Sequence, residues 1–178
     1  WLDTLINQLS QVTMAVPAFF LGILLTYIFG LILSWFQPGA FVEPSVSFWG
    51  CVSYLVFPAI AVALPKIAMV VKFLRNPILS EMPKDYVRTA FSKGNREGRV
   101  LYVHILRNAL IPVITFIAMV IAEIMAGSII VEQVFGIPGM GQLLISSISA
   151  RDYPVVQAIV TYITAIVVIV NFVVDILY

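Results

Sequence analysis

The chain has 178 residues, 61% of them hydrophobic and only 11% charged, with a formal net charge of +1 and a mean hydropathy of +1.04. So few charges cannot cover a soluble domain of this size, which excludes soluble enzymes and nucleic-acid binders and implies a membrane protein. The single cysteine, Cys51, allows neither an intrachain disulfide nor a cysteine metal cluster and reads as a small buried hydrophobe. The chain begins at Trp1 rather than Met, so it is expected to be a piece of a longer protein.

A membrane helix needs about 20 mostly apolar residues. Four stretches meet that requirement: Val12 to Phe36, Cys51 to Leu74, Ala109 to Ile130 and Val155 to Tyr178. The first carries no charge. The second is charged only toward its end, by Lys66 and Lys72. The third is interrupted by Glu123, and the fourth holds Asp175 near its end. No run alternates as a barrel strand would, so the expected fold is an all-α polytopic bundle. Small residues repeat at four-residue spacing in the first span (Gly22, Thr26, Gly30) and the third (Ala118, Ala122, Ala126). Such stripes serve close helix packing, either within this chain or against a second subunit. Pro58 and Pro65 share one face of the second span, as a bend that lines a cavity or as tolerated kinks.

Nine of the ten Lys and Arg residues lie between Lys66 and Arg107. The positive-inside rule therefore expects residues 75–108, and both chain ends, on the cytoplasmic side. Residues 37–50 and 131–154 are then expected on the outer side, with Trp35 and Trp49 flanking the first outer loop. Within the basic connection, Asp85 is a candidate N-cap and Tyr86 to Lys93 read as about two helical turns. Gly94 follows as a left-handed stop and Asn95 as the cap of a longer helix. Tyr86, Thr89, Ala90 and Lys93 share one face, with Val87 and Phe91 on an adjoining apolar stripe. So short an amphipathic helix suits a groove in a cytoplasmic protein better than a membrane surface.

These residues carry a resemblance. The stretch DYVRTAFSKGNREGRVLYVHILRNALIP resembles the cytoplasmic "EAA" loop of binding-protein-dependent ABC importer permeases, nearest to their oligopeptide, dipeptide and nickel branch. The matching positions are Asp85, Tyr86, Val87, Thr89, Ala90, Lys93, Gly94, His104, Arg107, Asn108, Ala109, Leu110 and Pro112. Further on, VEQVFGIPGMGQLL, ARDYPVVQ and VNFVVDILY are similar to the later motifs of that branch. The chain departs from the general EAA pattern at Arg88, where that pattern has an acidic residue, and at Arg107, where it has proline. The resemblance implies a single permease domain in a bacterial or archaeal cytoplasmic membrane, with two further spans ahead of this region. It implies half of a translocation pathway, a second homologous permease, two cytoplasmic ATPase subunits and an extracytoplasmic binding protein. The transported solute would be a peptide, with nickel or another metal complex as the alternative. Asp85, Tyr86, Arg88, Thr89, Ala90, Lys93, Gly94 and Arg96 would form the coupling segment against an ATPase. Glu123, Glu132, Phe135, Pro138, Gly139 and Met140 are the candidate pathway and gate residues.

The sequence holds no G-x-x-x-x-G-K-[ST] phosphate loop, so ATP and Mg²⁺ are expected in partner subunits and no cofactor on this chain. Gly136 to Gly141 is glycine-rich but lacks the lysine, and reads as a turn. Protease motifs are absent, and the lone His104 reads as structural. A secondary transporter or channel is the rival from another class. No internal repeat supports it, and co-purification with ATPase subunits discriminates the two.

Overall fold

The structure, a computed structural model, describes residues 1–177; the side chains at 2, 126, 127 and 177 lie outside that description. Tyr178 of the expected fourth span and the Ala126 side chain of the small-residue stripe therefore fall outside it. The elements are α1 (Leu2–Ala15), α2 (Ala18–Leu25) continuing as a π-helical stretch (Thr26–Ile32), α3 (Phe48–Glu81) and α4 (Asp85–Ser92). They are followed by α5 (Glu97–Arg99), a π-helical stretch (Val100–Ile105), α6 (Leu106–Phe135), α7 (Met140–Ser149) and α8 (Tyr153–Leu177). No strand occurs among the described residues, so the fold is the all-α bundle expected from the sequence.

The first expected span is where the sequence reading needs correction. It does not run from Val12 as one helix. Pro17 has no N–H to continue the ladder and pushes Val16 into an extended conformation (φ −88°, ψ 119°), so α1 ends at Ala15. The chain turns by 91° there before α2 begins. Residues 12 to 15 belong to α1, which is pinned to α3 by a two-pronged Arg75–Asp3 pair at 2.8 and 2.7 Å. Three helical stretches are long and apolar enough to cross a membrane unaided: Phe48–Glu81, Glu97–Met125 and Tyr153–Ile176. The α1–α2 pair meets that test only jointly, as a bent unit.

Helix α3 starts at Ser47, whose Oγ accepts the Gly50 N–H at 3.1 Å. It then runs 34 residues without a break, past Pro58, Pro65 and Pro77. Its buried residues are Cys51, Tyr54, Pro58, Ala61, Pro65 and Ala68. The three- and four-residue spacing makes one stripe, and small residues on it let α6 approach closely. The length of α3 also corrects the placement of Lys66. That residue is near the helix middle, and Lys72 and Arg75 also lie within α3, so all three belong to the helix rather than to the connection.

Helix α2 reaches the same core through Gly22, where an added Cβ would stand 3.2 Å from the Phe135 ring. Gly30 lies against Pro38 in the same way, at 2.8 Å. Both contacts are within the chain, which is the first of the two readings of the Gly22–Thr26–Gly30 stripe. Helix α6 closes with a Schellman motif. Gly136 takes a left-handed conformation (φ +65°), and the N–H groups of Ile137 and Gly136 donate to the carbonyls of Glu132 and Gln133. Gly136 also backs onto Gly39, whose Cα would lie 3.1 Å from an added Cβ.

One side chain joins these pieces. The Tyr54 hydroxyl donates to the Phe135 carbonyl and accepts the Gly39 N–H at 3.0 Å. It thus ties α3, the end of α6 and the α2–α3 connection to one buried point among Ala61, Val131 and Phe135. Helix α8 packs on α6 and α7, and the rest of its surface, including Val168, Ile169, Phe172 and Ile176, is exposed. We expect Tyr54→Phe to leave both partners of the hydroxyl unsatisfied, at a cost of about 1–3 kcal/mol. Thermal unfolding in detergent should show a midpoint several degrees lower with unchanged helix content. A midpoint equal to wild type contradicts the role given to Tyr54.

Candidate functional site

Two groups of candidate residues occupy opposite ends of the bundle. They are joined by α6, whose 30 residues measure about 45 Å. At one end, α3 stops at Glu81 because Pro83 cannot extend its hydrogen-bond ladder. The start of α4 differs from the sequence expectation. Lys84 holds the N-cap position by its extended backbone (φ −67°, ψ 149°), without a side-chain cap, and Asp85 is the first helical residue. An acid there still favours the helix N-terminus. The end of α4 is a Schellman motif around Gly94 (φ +76°), with Asn95 and Gly94 N–H groups donating to the Ala90 and Phe91 carbonyls. Asn95 does not cap the following helix. Its side-chain amide donates back to the Ala90 carbonyl at 2.9 Å, and Arg96 takes the cap position of α5 by backbone geometry alone.

The faces of α4 also differ from the expectation. Val87 and Ala90 are buried against Val100 and Ile105, with Ile78 and Tyr86 beside them. Ala90 therefore points into its own chain, because Val87 and Ala90, three apart, form the apolar side that this core takes up. Arg88, Thr89, Phe91 and Lys93 are left exposed, as are Gly94 and Arg96. Thr89 turns its hydroxyl to the Asp85 carbonyl at 2.9 Å, and Arg88 stands 3.9 Å from Asp85. Tyr86 donates to Glu81 at 2.7 Å, and Lys84 donates to the other oxygen of the same carboxylate. Burial raises the Tyr86 hydroxyl above its ordinary range, and the bond to Glu81 acts the same way. The Lys84 ammonium is held above its ordinary range by that carboxylate. These bonds fix α4 to the end of α3. A cavity of about 490 Å³ lies beneath α4, between Phe91, Glu97, Leu101 and Ile105.

At the other end, Glu132 has a structural task that the sequence did not suggest. Its carboxylate accepts the N–H groups of Gly141 and Gln142 at 2.7 and 3.3 Å, so it caps α7 from the preceding helix. Gly139 and Gly141 make room for this contact. A Cβ on Gly139 would lie 2.3 Å from the Glu132 Oε2, and one on Gly141 would lie 2.5 Å from the Ile129 Cα. Phe135 is fully buried in the core and lines no open surface. Pro138, Gly139 and Met140 do border an open groove of about 600 Å³ with Gln142, Leu143 and Ser146. Helix α7 lies at 87° to the end of α6 and packs through Gly141, Leu144 and Ser147. Leu143 and Ile148 are exposed.

Between the two ends, Glu123 forms an ion pair with Lys66. Sequence reasoning missed this partner. The signal was available, since an acid inside an apolar helix needs a counter-charge and Lys66 is the cation nearest the middle of the facing helix. Among the described residues there is no cluster of His, Cys, Asp and Glu that would hold a metal ion.

The whole chain, residues 1–178, matches the family described as binding-protein-dependent transport system inner membrane component. The chain belongs to that family. It is similar to a putative peptide transport system permease protein of Brucella abortus, 39% identical over all of this chain and 57% of that protein. It is also similar to the oligopeptide transport system permease protein AppB of Bacillus subtilis, 37% identical over 99% of this chain and 57% of AppB. The di/tripeptide transport system permease protein DppB of Pseudomonas aeruginosa is 37% identical over 92% of this chain and 55% of its own length. The chain thus spans a little over half the length of these relatives. Family membership and the apolar helices make it a multi-pass inner-membrane protein with the type I ABC permease fold.

The packing of α7 gives a test. Gly141→Ala pushes α7 off the backbone of α6, whereas Glu132→Gln keeps an acceptor oxygen at the cap. We expect the first to cost about 1–3 kcal/mol and the second about 1 kcal/mol or less. Thermal unfolding in detergent ranks them, and the reverse order contradicts the assigned contact.

Proposed function

We propose that the chain forms half of the translocation pathway of a binding-protein-dependent ABC importer for peptides. The observation that carries this reading is the construction of α4. Its apolar side is anchored to the chain itself, its end is fixed by Gly94, and its other side presents Arg88, Thr89, Phe91 and Lys93 to a partner. That is a rigid peg suited to a cleft in an ATPase subunit. The connection bearing α4 lies on the cytoplasmic side, supported by its cluster of Lys and Arg residues. Both ends of the chain are on that side as well, and α7 is at the outer mouth. A second permease completes the pathway, two ATPase subunits bind ATP and Mg²⁺, and a binding protein delivers the solute to the α7 end. The permease chain itself is not the catalyst and holds no cofactor. The names of AppB and DppB favour peptides over a nickel complex. Helix α7 is a gate element, too short at ten residues to cross the membrane and set across the bundle axis.

An added Cβ at Gly94 meets nothing within 4 Å, so the constraint there is backbone conformation rather than space. Gly94→Val should cost on the order of 1–2 kcal/mol of local strain, while Gly94→Asn tolerates the left-handed region. Both variants should insert in the membrane normally. The valine variant should lose co-purifying ATPase subunits and at least tenfold in peptide uptake, and the asparagine variant should keep both. Normal uptake by Gly94→Val overturns the coupling assignment.

A further inference from the structure

The Lys66–Glu123 pair lies on the seam between α3 and α6. On the α7 side of the pair, a groove of about 440 Å³ runs along the seam, walled by Leu55, Ala59 and Ala63 on α3 and by Ile124, Ser128 and Ile137 opposite. Lys66 follows Ala63 by one helical turn, and a helical side chain leans back toward the preceding turn, which here is the groove. Glu123 immediately precedes Ile124. The two charges therefore flank one end of the groove, whose walls are apolar apart from Ser128 and Glu132, the latter committed to the N-terminus of α7. Seven residues further along each helix, Phe73 and Phe116 stack with ring centroids 4.1 Å apart and planes within 6°. The seam thus reads, from the α7 end, as an open groove, a pair of opposite charges and an aromatic seal.

The Glu123 side chain is 53% exposed and that of Lys66 22% exposed. A half-exposed carboxylate at this depth is unstable against lipid tails and calls for water, a partner chain or a charged ligand. We infer that Lys66 and Glu123 form a subsite for the charged termini of a peptide, Glu123 receiving the α-ammonium and Lys66 the α-carboxylate. Charge complementarity selects this occupant. Every unmodified peptide carries both charges, whereas its side chains vary, and walls that are apolar apart from Ser128 and the α7-bound carboxylate of Glu132 discriminate little among side chains. The exchange preserves neutrality. The internal pair opens only as each member gains a counter-charge from the ligand, so no uncompensated charge is left inside the membrane. This inference rests on the peptide-permease reading above.

The test uses the full complex in proteoliposomes with its binding protein and an equimolar mixture of unmodified tripeptides, with vesicle contents read by mass spectrometry. The double variant Lys66→Met with Glu123→Gln removes both charges at once and leaves neither unpaired. We expect normal recovery of the assembled complex but at least a tenfold loss of uptake. Uptake within twofold of wild type makes the pair structural only and overturns the subsite. A second measurement keeps the outcome independent of stability. In a Cys51→Ser background, Ser128→Cys on the groove wall, which leaves the pair intact, should react with a membrane-impermeant thiol reagent, and the tripeptide mixture supplied with the binding protein should slow that reaction. Labelling only by lipid-soluble reagents, or no protection, overturns the inference. If the wild-type complex takes up none of the tripeptides, the peptide-permease reading itself fails, which is distinct from a failure of the pair alone.

Discussion

The seam between α3 and α6 joins residues far apart in sequence: Lys66 to Glu123 across 57 positions, and Tyr54 to Phe135 across 81. Lipid offers no hydrogen bonds, so such a seam is held by close packing and by polar groups that find partners inside the protein. Small and cyclic residues on α3 allow the approach, and the Tyr54 hydroxyl locks one end. With α3 and α6 fixed, Gly22 lets α2 settle on the Phe135 ring, and Gly136 lets the chain turn against Gly39. The same turn delivers α7 to the carboxylate of Glu132.

The seam also links the two ends of the bundle that hold the candidate residues. Helix α4 packs on Val100 and Ile105, at the start of a helical run that continues to Phe135. That run carries Glu123 part-way along and ends where Glu132 caps α7. On the proposed reading, a displacement of α4 by a bound partner has a continuous helical path to α7, with one ion pair and one aromatic stack along the way. This continuity is what the proposed coupling of ATP hydrolysis to gating requires.

The sequence made the class of fold legible through hydropathy alone, because long apolar runs without alternation leave helices as the only spanning solution. Gly94 and a turn beginning at Gly136 were legible from glycine placement, although the turn ends at Gly139, and Met140 and Gly141 already belong to α7. The face of α4 was not. Val87, Ala90 and Phe91 are all apolar, and only the positions of Val100 and Ile105 decide that Ala90 turns inward while Phe91 stays out. The N-cap was misplaced because backbone geometry at Lys84 suffices without a side-chain bond. The first span was drawn too long because hydropathy does not register Pro17, which leaves the apolar content unchanged while breaking the helix. The capping role of Glu132 was not legible because its capped helix begins eight residues later, beyond the reach of local cap patterns. For Glu123 the need for a counter-charge was legible, but its pairing with Lys66 in particular depends on the register of two helices, which no local pattern encodes.

The proposed coupling has α4 meet an ATPase subunit through the side that carries Phe91, with Ala90 turned to its own chain. Photo-cross-linking from these two adjacent positions, in membranes containing the assembled transporter, tests it most directly. The account predicts that a photoreactive residue at 91 links to an ATPase subunit, and that one at 90 links only within the chain. Cross-links to the ATPase from 90 but not from 91, or from neither, contradict it.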